Sequence, residues 1–141
     1  MKHACSSGDI RFRDDFEALV FPKTEFKHRQ HLRLAYIYLC GNETEAAHER
    51  MRAALHAFIA HHGIDPAKYN ETITKAWILA VRHFMAKTPD TSCFDDLIAA
   101  HPRMLDPRIM LTHYTAARLT SPEARAEFLE PDLAPIPRYG R

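Results

Sequence analysis

The stretch TEFKHRQHLRLAYIYLC, Thr24–Cys40, decides the fold. Wound as a helix at about 100° per residue, it brings His28, Leu32, Ala35 and Leu39 within about 40° of one line, an apolar stripe. Arg29, Gln30 and Arg33 occupy the opposite arc. His31, three residues after His28, neighbours it on the same side, and Gly41 supplies a C-terminal stop. The stretch therefore predicts an amphipathic helix whose buried side carries two imidazoles.

The chain on either side repeats the pattern. Asn42-Glu43-Thr44-Glu45 has capping-box spacing and opens a helix running to His62, ended by Gly63. Its apolar positions Ala47, Met51, Ala54, Leu55, Phe58 and Ile59 follow the helical period. After a turn at Asp65-Pro66, a long helix covers Lys68 to Lys87, with Ile73, Trp77, Ala80, Val81 and Phe84 as its apolar arc. Ser92 with Asp95 caps a shorter helix through Ala100, another follows Asp106-Pro107, and Ser121-Pro122-Glu123 is a strong helix start. A short helix near Asp14–Val20 follows loosely ordered residues 1–13. Residues 130–141, rich in proline, form an extended tail held by Leu133 and Ile136. No stretch alternates long enough to predict a strand. The expected architecture is a single all-α domain over residues 1–141, a helical bundle of three main helices with short N- and C-terminal helices and the tail.

The 141 residues suit one domain. Lys and Arg total 19 against 18 for Asp and Glu, a formal charge of +1, which argues against a dedicated nucleic-acid binder. No apolar run approaches the roughly 18 residues of a membrane span, and the first residues lack the apolar core of a secretory signal. Cys5, Cys40 and Cys93 are odd in number and far apart in sequence. They form neither a zinc knuckle nor a CxxC pair and read as reduced thiols, so the expected location is cytoplasmic.

Histidine is the unusual component, with ten residues. His61 and His62 close a helix, where a cation meets the dipole favourably. His56 projects outward, His48 sits at a core edge, His83 at a rim, His101 in a turn and His3 in the terminus. His113 borders the site only if the C-terminal segment folds back. His28 and His31 point inward, facing Asn70 and Thr74 on the apolar arc of the Lys68–Lys87 helix. Unpaired buried polar groups cost about 1–3 kcal/mol each, so these groups need one another, water, a metal or a ligand.

Three readings stay open. In the first, a small molecule occupies a buried polar pocket, with His28 and His31 as catalytic acid/base groups and Tyr69, Asn70, Thr74 and Trp77 as substrate-binding residues. In the second, a divalent metal is the cofactor, held by His28, His31 and Glu71. In the third, the chain is a non-enzymatic helical module, such as a homodimer, with a satisfied core histidine network and an exposed apolar helix face. Trp77 is core by default and a stacking wall in the first reading.

The segment Phe26-Lys27-His28-Arg29-Gln30-His31-Leu32-Arg33-Leu34-Ala35 resembles an FxHxxHLxxA pattern of a group of small, largely uncharacterised bacterial all-α proteins. Tyr69-Asn70-Glu71-Thr72-Ile73-Thr74 is similar to the YHETxT-type block of that group. Ala124-Arg125, Phe128 and Pro131-Asp132-Leu133, followed by Pro135 and Pro137, are similar to its C-terminal block. The resemblance implies a helical fold with a shared polar centre and carries no defined activity. Asn70 stands where the pattern favours histidine, and a neutral amide oxygen is a poor ligand for zinc or iron.

Overall fold

A computed structural model describes residues 2–138 and shows a predominantly helical, single compact domain. The first helix begins earlier than the sequence reading places it, which corrects the expectation of a loose segment over residues 1–13 and a helix near Asp14–Val20. Residues 2 and 3 form β1 (Lys2–His3), paired in parallel with β2 (Asp90–Thr91) in the register Lys2–Asp90 and His3–Thr91. Residue 1 lies outside the described residues. The Ser6 hydroxyl accepts from the Asp9 amide and the Asp9 carboxylate from the Ser6 amide, each at 3.0 Å. This capping box opens α1 (Ser7–Glu17).

Asp9 does more than cap. Only 2% exposed, it also accepts from the Phe94 amide at 3.0 Å and from Arg33 Nε at 2.8 Å. Burial pushes its pKa up, but the two amides and the guanidinium outweigh that and hold it below the ordinary carboxylate range.

A 3-10 turn over Lys23–Glu25 and an extended Phe26 precede α2 (His28–Gly41), so this helix starts four residues later than its apolar pattern suggests. Its stretch from Leu34 to Leu39 is buried on all sides. It packs between α3 (Thr44–His61) and α4 (Glu71–Ala86), which also pack on each other. The aromatic rings of Phe16, Phe26 and Phe58 join α1, the turn before α2 and α3. Phe16 stacks on Phe58 at 4.5 Å and lies 4.9 Å from Phe26.

Beyond α4 the chain runs through β2, α5 (Phe94–Ala100), 3-10 turns over Pro102–Leu105 and Pro107–Thr112, α6 (Ala116–Leu119) and α7 (Pro122–Ala126). Each predicted Asp-Pro or Ser-Pro start acts as a cap: Asp65, Asp106 and Ser121 accept from Ala67, Arg108 and Ala124 amides. The Ser92 and Asp95 cap is replaced by the Asp96 carboxylate accepting from the Ser92 amide. The tail is extended to residue 138; the Leu133 amide donates to His113 O and Ile136 is buried. Residues 139–141 lie outside the described residues. Among the described residues no helix is long and apolar enough to cross a membrane.

Candidate functional site

His28 is the first residue of α2, and its ring is fixed from two sides. Nε2–H donates to the carbonyl of Met104 at 3.0 Å, which sets the tautomer and leaves Nδ1 without the proton. Trp77 on α4 meets the ring edge-on at 4.8 Å. Burial pushes the His28 pKa down, against the opposing pull of the Met104 carbonyl and the Asp106 charge.

His31, one turn further on, differs. Its ring lies 6.2 Å from Phe26 and makes no hydrogen bond to any described residue. Burial, aided by the neighbouring His28, pushes its pKa down to about 4, so the ring is neutral near pH 7.

Two adjoining pockets share Phe26, His31 and Ile73 in their walls. One, of about 290 Å³, adds His28, Trp77, Met110 and Leu119. The other, of about 250 Å³, adds Tyr69, Asn70 and Thr74 with Leu55, Phe58 and Ile59. Lys27 borders the first and Lys68 the second. The walls are mostly hydrocarbon and aromatic, with imidazole at the junction, the composition of a small-molecule site.

The fold thus brings His28, His31, Tyr69, Asn70, Thr74 and Trp77 around adjoining spaces. Besides His28, two of them are committed to the backbone. Asn70 is the N-cap of α4: its oxygen accepts from the Ile73 amide at 2.9 Å and its NH₂ donates to Leu119 O at 2.8 Å. Thr74 Oγ1 donates to Asn70 O at 2.9 Å. Their inward projection assumes a helix already running at Lys68, whereas Pro66–Lys68 is a separate 3-10 turn.

Glu71 does not join His28 and His31. Its buried carboxylate accepts from Arg52 at 2.8 Å and from the Tyr69 hydroxyl at 2.5 Å, and lies 3.1 Å from His48 Nε2. Burial alone would raise its pKa; Arg52, Tyr69 and His48 together hold it below the ordinary range. The same contacts tie α3 to the start of α4. Among the described residues no three His, Cys, Asp or Glu side chains are grouped to hold a metal ion, so the set His28, His31 and Glu71 is not assembled.

His113 Nδ1 lies 2.7 Å from Ala134 O and ties down the tail, leaving the pocket border to Met110. The large exposed apolar side chains among the described residues, Val20, Leu105, Leu111 and Leu133, sit in turns and the tail. The homodimer reading expects an exposed apolar face on a helix; these four side chains lie outside α1–α7. Sequence reasoning did not assign Met104, Met110, Leu119 or Phe58 to the site. An apolar side chain reads alike as core and as pocket wall, and Met104 acts through its backbone, 76 positions from His28. Comparison with protein-family models, characterised proteins and solved structures gives no match.

Proposed function

We propose that this protein binds a small, mostly apolar molecule in the adjoining pockets, with His31 making the hydrogen bond that orients it. The observation that carries this reading is the His31 imidazole, which hydrogen-bonds no described residue and stands in the wall that both pockets share. A neutral ring lining an apolar wall offers a ligand one nitrogen donor and one nitrogen acceptor that no described residue occupies. Pocket size and lining suit one aromatic ring in each space, between Trp77 and Met110 on one side and Phe58 and Tyr69 on the other. An imidazole held at about pH 4 is a weak base near neutrality, which favours a binding role over the acid/base role for His31.

Trp77, the sole tryptophan, gives a local readout. Titration with phenol, indole and benzoate should produce a saturable change in its emission and a rise in the thermal midpoint for at least one probe. His31→Leu should weaken that affinity by about tenfold, the worth of one hydrogen bond. Emission unmoved by every probe, or an affinity indifferent to His31→Leu, would overturn the proposal.

A further inference from the structure

Two of the three cysteines, far apart in sequence, meet in the fold. The pairing of β1 with β2 carries the N-terminal segment across α2: the Ala4 amide donates to Thr91 O at 2.9 Å, and the Tyr36 hydroxyl donates to Ala4 O at 2.6 Å. Cys5 follows Ala4, and Cys40 lies one helical turn after Tyr36 on the same face of α2. The Tyr36–Ala4 bond thus places the two thiols beside each other, and both residues are partly exposed.

The pair is asymmetric. The neighbouring Cys40 thiol holds the Cys5 thiol below its ordinary range, with Arg13 and Arg33 adding to it, against the opposing pull of burial and Asp9. The neighbouring Cys5 thiol, with burial, pushes Cys40 up. One thiolate-prone sulfur beside one protonated sulfur is the arrangement that thiol–disulfide exchange requires.

We propose that Cys5 and Cys40 form a redox-active thiol pair that exchanges with low-molecular-weight disulfides, Cys5 attacking and Cys40 resolving. The Cys5 thiolate attacks one sulfur of a disulfide such as glutathione disulfide; that S–S bond breaks and one small thiolate leaves. Cys40 then gives up its proton to solvent and attacks Cys5 Sγ, expelling the second small thiolate. The protein thiols lose two electrons and two protons, and the disulfide becomes two thiols. The product closes the chain from Cys5 to Cys40, a loop containing α1, His28 and His31, and locks β1 onto α2.

Reduced protein incubated with glutathione disulfide near neutral pH, then acid-quenched, alkylated and peptide-mapped without reduction, tests this. The expected result is a Cys5–Cys40 crosslink, alkylated Cys93, and a thermal midpoint raised by about 5 °C. Cys40→Ser should stop at a glutathionyl adduct on Cys5. Absence of a crosslink, a crosslink through Cys93, or adducts spread evenly over all three cysteines would overturn the proposal. So would a Cys5 adduct that persists in the wild-type protein.

Discussion

His31 shows how one residue couples the site to stability. Its pKa is about 4 in the folded chain, against 6.5 for an ordinary imidazole. As pH falls through this interval, the unfolded chain takes up a proton that the folded chain refuses. The stability from keeping the ring neutral is therefore complete above about pH 6.5 and declines below it as pH falls toward about 4. His31→Phe removes this contribution, so urea unfolding near neutrality and near pH 4.5 should differ less in the variant than in the wild type. Equal pH dependence in both proteins would contradict the assignment. Asp9 behaves oppositely. Its folded pKa is depressed, so its contribution is present above the unfolded value of about 3.9 and lost as pH falls through the folded one. Asp9→Ala strips the cap of α1 and strands Arg33 and the Phe94 amide; we expect a loss of about 3 kcal/mol at neutral pH, read from urea unfolding. A loss below about 0.5 kcal/mol, the scale of ordinary surface substitutions, would contradict that role.

Two helices end by the same device with different residues. After α3, Gly63 takes φ of +63°, its amide bonds Ala60 O, and the Ile64 amide bonds Ile59 O. After α1, Leu19 takes φ of +67°, its amide bonds Phe16 O, and the Val20 amide bonds Asp15 O. Both are Schellman motifs, and only glycine enters the left-handed region without steric cost. Leu19→Gly should stabilise the protein by about 1 kcal/mol and Gly63→Ala should destabilise it by a similar amount, both measurable as shifts in the urea midpoint. Shifts of the opposite sign would show that side-chain packing outweighs backbone strain at these turns. The difference explains what was legible at this scale. The end of α3 is written as glycine and is readable from sequence. The end of α1 is written as leucine, and its start depends on a Ser6–Asp9 box whose carboxylate also serves α2 and α5. Asn70 was legible as an inward polar residue, but its employment as the cap of α4 depended on the turn at Pro66–Lys68. Asn70→Ala should cost about 1–2 kcal/mol in unfolding free energy for that reason, and a neutral effect would exclude it as the cap.

At the scale of the whole molecule, three packed helices and a C-terminal turn line the candidate site. The start of α2 supplies the imidazoles, α4 supplies Trp77 and Ile73, the C-terminal half of α3 supplies Phe58, and the turn over Pro107–Thr112 closes over them with Met110. Helical periodicity exposed the three main helices and the inward direction of His28 and His31, because both are local properties of the chain. It could not show which polar groups have partners, since that depends on contacts between segments far apart in sequence: His28 finds the Met104 carbonyl, Glu71 finds Arg52 and His48, and His31 hydrogen-bonds no described residue. The last difference is the basis of the binding proposal. The most direct test is a long-range ¹H–¹⁵N spectrum of the histidine rings, with His31 assigned through His31→Phe. It should be recorded across the acidic range and again with phenol, indole and benzoate added. The account predicts that the His31 ring titrates near pH 4 in the free protein, and that at least one probe shifts its nitrogens together with the Trp77 indole signal. A His31 ring titrating near 6.5, as an exposed imidazole does, and unmoved by every probe would contradict it.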